Sequence, residues 1–205
     1  MSSSMKKAAL GTVVAAALTC SIPASASDWI VRFGGHYVDP GSDNHEIVNV
    51  ASGESLTFSA TYLFNPNWSV ELLAALPFKH DIKLNAGGAR VAEVKHLPPT
   101  VSVQYHFAPG SRIRPYVGAG LNATLFFDEK TTGALAGEKL SLDTSFGLAA
   151  QLGVDIDIGT AWFLGLDARW IDIDTDAKLS GTNIGSVEID PWVIGLTVGR
   201  RFGGQ

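Results

Sequence analysis

The chain has 205 residues, a formal net charge of −5, and 17% charged against 46% hydrophobic residues. Acidic and basic residues are mixed, with no basic patch or basic helix, which argues against a nucleic-acid partner. Beyond the N-terminal region no stretch approaches the roughly 18 continuous apolar residues of a membrane-crossing helix, which leaves a water-soluble β-protein or a transmembrane β-barrel.

The N-terminal region reads as a secretory signal. Lys6 and Lys7 form a basic start, Ala8 to Leu18 an apolar run, and Ala24-Ser25-Ala26 a small-residue cleavage site after Pro23. The run falls short of the roughly 20 residues that span a bilayer, so cleavage after Ala26 is expected rather than anchoring. Cys20, the one cysteine, lies inside this segment. A lipid anchor there would want a small residue just before it and a leucine three before it; Thr19 and Ala17 occupy those places. Residues 27–205 then form one domain with no disulfide.

From there the pattern is period two. It is weak over Val31 to Tyr37 and Leu56 to Phe64. It is strong from Trp68 to Phe78, where Trp68, Val70, Leu72, Ala74, Leu76 and Phe78 oppose Ser69, Glu71, Leu73 and Ala75. Val101 to Phe107 alternates with Ser102, Gln104 and His106, and Val117 to Phe127 continues in weaker form. Phe146 to Ile158, Trp162 to Trp170 and Trp192 to Phe202 complete eight candidates. Helical apolar faces repeat near 3.6 residues and cannot produce this. About ten residues each suits a tilted transmembrane strand.

Turn chemistry alternates as well. Asn65-Pro66-Asn67, Ala108-Pro109-Gly110-Ser111 and Gly159-Thr160 are tight turns. Residues 39–53, 79–94, 128–138 and 175–186 are expected to be long loops. Short turns at one end and long loops at the other is the outer-membrane arrangement, with both termini periplasmic. Trp29, Phe64, Trp68, Phe78, Phe107, Phe127, Trp162, Trp170, Trp192 and Phe202 are expected as interfacial aromatics on the lipid face. In a lipocalin-like soluble barrel the other face would meet water, and it is too poor in Lys and Glu for that. The expectation is an all-β fold, an eight-stranded antiparallel up-and-down transmembrane β-barrel in a Gram-negative outer membrane. Its partners would be outer-membrane lipid, lipopolysaccharide and the barrel assembly machinery.

Several stretches, taken together and in this order, resemble the OmpW family. They are His96-Leu97-Pro98-Pro99-Thr100, Arg114-Pro115-Tyr116-Val117-Gly118-Ala119-Gly120-Leu121-Asn122, and Phe146 to Asp155. Ile171-Asp172-Ile173-Asp174-Thr175, Ile189-Asp190-Pro191-Trp192-Val193 and Gly199-Arg200-Arg201-Phe202 follow. The resemblance implies an eight-stranded barrel with a narrow, largely apolar passage for small hydrophobic molecules. The tail departs from the pattern: Gly203-Gly204-Gln205 follow Phe202, and position 200, often aromatic, is Arg200.

On the lumen face the alternation places Arg32, Glu71, Gln104, Gln151, Asp155, Asp157, Asp167 and Arg169. Side chains nearly fill an eight-stranded barrel, and charges there must pair. They are expected to form an ion-pair plug rather than a gate. A plug would send hydrophobic cargo sideways. Pro98 and Pro99 mark the candidate lateral gap, since each lacks a ladder donor; ending the strand at its outer rim is the other reading. Leu84, Leu97 and Leu135, with Ile47, Val48, Val50 and Val91, are expected to line an apolar mouth. The histidines His36, His45, His80, His96 and His106 form no recognisable nucleophile–base–orienter set, so no enzyme is expected. The Asp172, Asp174, Asp176 run lacks the glycine and distal glutamate of a calcium loop, and neither metal nor cofactor is expected. The functional alternative to passage is a structural or partner-binding barrel, adhesin- or receptor-like, with a closed lumen.

Overall fold

A computed structural model describes residues 29–41 and 48–203. The expected signal (1–26), His45, Ile47 and the tail end Gly204-Gln205 lie outside the described residues. The chain runs through β1 (Trp29–Asp39), β2 (Val48–Val50), β3 (Gly53–Leu63), β4 (Trp68–Ala75), β5 (Phe78–Leu84), β6 (Arg90–Leu97) and β7 (Thr100–His106). It continues through β8 (Ile113–Thr131), a 3₁₀ turn (Gly133–Leu135), β9 (Leu140–Leu142), β10 (Ser145–Asp157), β11 (Trp162–Ile171), β12 (Asp174–Leu179), β13 (Thr182–Glu188) and β14 (Trp192–Phe202).

Eight strands close a wall in the order β1, β3, β4, β7, β8, β10, β11, β14, every neighbour antiparallel and β14 paired back to β1. Closure leaves no sheet edge, which a bilayer requires because it offers backbone amides no water. On β14, Trp192, Ile194, Leu196 and Val198 are exposed while Val193, Gly195, Thr197 and Gly199 are buried. Phe146 is 80% and Leu121 67% exposed. An apolar belt of this kind is stable against lipid and not against water.

The regions expected as long loops are largely strand. β5 pairs with β6 and β2, and β6 pairs with the far end of β8. β12 pairs with β13 and β9 as a separate small sheet. Here the polarity of the alternation inverts. In β5, Phe78, His80 and Ile82 are buried while Lys79 and Lys83 are exposed. Above the bilayer the outer face meets water, so the apolar face must turn inward.

One point makes the inversion possible. Leu76 and Pro77 are both exposed, so the strand slips by one residue between β4 and β5. Phe78 therefore corrects an expectation: it is not a lipid-facing girdle residue but 2% exposed inside, stacked on His96 at 5.4 Å. On the facing arm the alternation passes through Pro98 and Pro99 unbroken. The β4–β7 ladder stops at Leu73 opposite Thr100, and pairing resumes only at Phe78 opposite His96.

Inside the barrel, large side chains lie over glycines. A Cβ at Gly199 would overlap the Phe163 ring, and one at Gly195 the His36 ring. Overpacking of this type costs about 1–3 kcal/mol. Gly199→Ala is expected to lower the urea midpoint of the vesicle-embedded barrel, followed by tryptophan fluorescence. Gly35→Ala, which faces open space, is expected to leave it unchanged.

Candidate functional site

The half of the lumen near the tight turns is filled by inward polar side chains, most of them joined in one network. Each strand brings its members inward by alternation: Arg32 and His36 from β1, Thr57, Ser59 and Thr61 from β3, Ser69 and Glu71 from β4. Glu71, with no exposed surface, is the hub. It accepts from Arg169 Nη1 at 2.8 Å, Ser59 at 3.1 Å and Arg32 Nη1 at 3.4 Å. Arg32 also reaches Asp155 at 3.0 Å, which Arg201 meets at 3.2 Å. Arg201 continues to Asp157 at 2.6 Å, and Arg114 pairs with the same carboxylate. Arg169 Nε bonds Asp167 at 2.7 Å. Four guanidiniums thus meet four carboxylates, and the charge balances internally. Phe163, fully buried, lies beneath Arg201 at 4.1 Å and Arg32 at 5.3 Å, and Tyr116 faces Arg32 at 5.3 Å.

All of Arg32, Glu71, Gln104, Gln151, Asp155, Asp167 and Arg169 are buried, with Asp157 partly so. Gln104 accepts from Ser69 at 3.2 Å, and Ser69 contacts His106 Nε2 at 3.0 Å. Sequence reasoning did not put Arg114, Arg201, Tyr116, Phe163 and His36 in this network. Alternation alone puts Arg201, Tyr116 and Phe163 on the inner face, but it does not tell an inward aromatic from core filling.

Thr57, His36 and Asp167 form a line, with Thr57 Oγ1 2.6 Å from His36 Nδ1 and His36 Nε2 3.3 Å from Asp167. The order is that of a nucleophile, base and orienting acid. Thr57, however, lies inside a strand paired on both sides, to Gly34 and to Ala75. Its neighbouring amides are committed to those ladders and build no oxyanion site.

Above the network the interior turns apolar. Val38, Phe78, Val94, Phe126, Ile173 and Val193 belong to a single buried cluster. Two cavities enter it. The lower one is small, rests on His36, Thr57 and Arg169 and is walled by Leu73, Ala75 and Pro98. The upper one, also small, lies among Val48, Ile82, Val94, Phe126 and Ile189, with His80 and His96 in its wall. Leu84 and Leu135 are partly buried and pack against the apolar cluster. Leu97 is half-buried on the opposite side of its strand from the inward His96 and does not join that cluster.

Pro98 is buried and Pro99 half-buried. Both outer ladders hold around them: Pro99 O accepts from Ala123 N at 3.0 Å, and Leu76 N donates to Leu56 O at 2.8 Å. The interruption is confined to the seam between residues 74–77 and 97–99. Pro98 and Pro99 fall between the end of β6 at Leu97 and the start of β7 at Thr100, so strand structure breaks off there and resumes on the other side.

On the rim, the carboxylate oxygens of Asp172, Asp174 and Asp190 lie within 4.8 Å of one another. Asp190 rather than Asp176 completes the group. Partial burial, then the neighbouring Asp190, Asp172 and Glu188, push the Asp174 carboxyl above its ordinary range. Exposed acidic groups commonly gather without an ion, and we assign this one no ligand.

A closed eight-stranded barrel, lipid-facing and apolar outside, charged and filled at the tight-turn end, is a small outer-membrane protein of Gram-negative type. A sequence profile of the OmpW family matches residues 11–202. The chain belongs to that family. It is 41% identical to outer membrane protein W of Vibrio cholerae over 97% of this chain and all of that one. The crystal structure of OprG from Pseudomonas aeruginosa superposes with a TM-score of 0.77 at 33% identity, covering 87% of this chain and 97% of that one. A more distant relative, 26% identical over 84% of this chain and 80% of its own length, is the dibenzothiophene metabolism operon protein PahQ of Pseudomonas aeruginosa. The protein resides in the outer membrane, surrounded by its lipid.

Proposed function

We propose that the protein admits small hydrophobic molecules across the lipopolysaccharide leaflet and releases them sideways into the bilayer. The observation that carries this reading is the lower apolar cavity. Its floor is the charged network, its side wall is the interrupted seam at Ala75 and Pro98, and it lies below the apolar cluster reached by Leu84 and Leu135. A buried charged plug opposes apolar cargo, since apolar groups gain nothing by displacing paired charges. The seam gives the same cargo an exit into lipid. PahQ, named for the metabolism of an apolar aromatic compound, accords with the reading.

A second reading is a barrel with a closed lumen whose extracellular sheets bind a partner; the filled network favours it. Uptake separates the two. Cells with the protein, at matched expression and with intact outer membranes, are expected to take up a small apolar reporter several-fold faster than cells without it, and saturably. Equal rates would leave the partner-binding barrel.

A further inference from the structure

The upper cavity holds a buried polar atom that has no partner among the described residues. His80 Nδ1 lies 2.5 Å from the carbonyl oxygen of Ala51. A carbonyl only accepts, so Nδ1 carries the proton and Nε2 presents a lone pair. Nε2 has no hydrogen-bond partner among the described residues, and His80 is 2% exposed. The ring is held from rotating: it stacks on His96 at 4.9 Å and 18°, and a flip would break the Ala51 bond. Around it the cavity wall is Val48, Val50, Ile82, Val94 and Phe126, with His96 as the other polar side chain. Buried acceptors are normally satisfied, and one fixed in an apolar pocket is the arrangement by which pockets orient a ligand.

We propose that the upper cavity prefers apolar molecules carrying one hydroxyl, such as phenols, over hydrocarbons of equal size, with His80 Nε2 receiving the hydroxyl hydrogen. This rests on the hydrophobic-passage reading and names the class of cargo within it. Burial pushes the His80 imidazole below its ordinary range, which keeps the ring neutral and the lone pair free. A hydrocarbon leaves that lone pair desolvated and unpaired; a hydroxyl fills it without adding charge to the chamber.

The test compares 1-naphthol with 1-methylnaphthalene, matched in shape, in two measurements. The first is equilibrium binding to nanodiscs containing the protein, corrected by empty nanodiscs. Wild type is expected to favour 1-naphthol by about five- to tenfold, the worth of one hydrogen bond. His80→Phe keeps the stack and loses the acceptor. His80→Leu loses the ring and the acceptor together. Both are expected to bring the ratio to about one with 1-methylnaphthalene binding retained, whereas His96→Phe is expected to keep the preference. A ratio near one in wild type, or an unchanged ratio in His80→Phe and His80→Leu, overturns the proposal. The second measurement is entry of both probes into cells. If wild type binds with the expected preference but speeds entry of neither probe, the passage reading fails while the site stands. If both enter faster without preference and the binding ratio is one, passage stands and the site fails.

Discussion

Glu71→Ala is expected to cause the largest loss of stability of any single lumen substitution. Glu71 is the shared partner of Arg32 and Arg169, at 3.4 and 2.8 Å, and all three are at most 3% exposed. Removing it leaves the Arg32 and Arg169 guanidiniums buried with only Asp155 and Asp167, respectively, as carboxylate partners. Breaking a buried pair by deleting one partner costs about 3–5 kcal/mol, because the remaining charge is uncompensated. The readout is the temperature at which the folded, fast-migrating form is lost on an electrophoretic gel. Arg169→Ala is expected to lower it as well. The double variant Glu71→Ala/Arg169→Ala is expected to lie above the sum of the single losses, since charge balance returns. Additive losses, or a Glu71→Ala barrel as heat-resistant as wild type, would show that the network does not hold the lumen together by pairing.

Closing the seam is expected to have the largest effect on passage. Ala75 and Pro98 both line the lower cavity, and they would be partners if the β4–β7 register, with Leu73 opposite Thr100, ran two residues further. Residues 27–205 contain no cysteine, so an Ala75→Cys/Pro98→Cys pair has no competitor for oxidation. A disulfide needs Cα atoms within about 7 Å, so forming one would itself show that the two arms approach each other. The oxidised pair is expected to reduce uptake of an apolar reporter to the rate of cells lacking the protein, and mild reduction is expected to restore it. Full uptake with the disulfide formed would move the exit elsewhere on the wall. Each single cysteine variant controls for loss of a proline or a change of volume.

Much of this was legible in the chain because lipid imposes a strict code. Every transmembrane strand must turn apolar residues outward at period two, so Leu148, Leu152 and Val154 lie in phase with Leu164, Leu166 and Leu196 without reference to any partner. Arg32, Glu71, Asp155, Asp167 and Arg169 fall on the inner face by the same rule, and their burial follows from the narrowness of eight strands. The expectation failed where the solvent changes. Phe78 continues the apolar phase of Trp68 to Leu76 as a string of letters, yet Leu76-Pro77 lets the strand slip. Above that slip, Phe78, His80 and Ile82 obey the rule of a water-soluble sheet.

By itself the sequence determined the class of fold, the number of membrane-spanning strands, the face most of their residues show and the end at which the charges gather, because those depend on local period and turn chemistry. Only the tertiary structure decided which charges pair, since Arg32 meets Glu71 39 positions away and Asp155 123 positions away. It also decided that the connections fold into sheets around an apolar chamber, that strand pairing is interrupted beside Pro98, and that His80 Nε2 has no partner among the described residues. These are set by stagger and closure across the barrel, where a shift of one residue exchanges every inward side chain for an outward one.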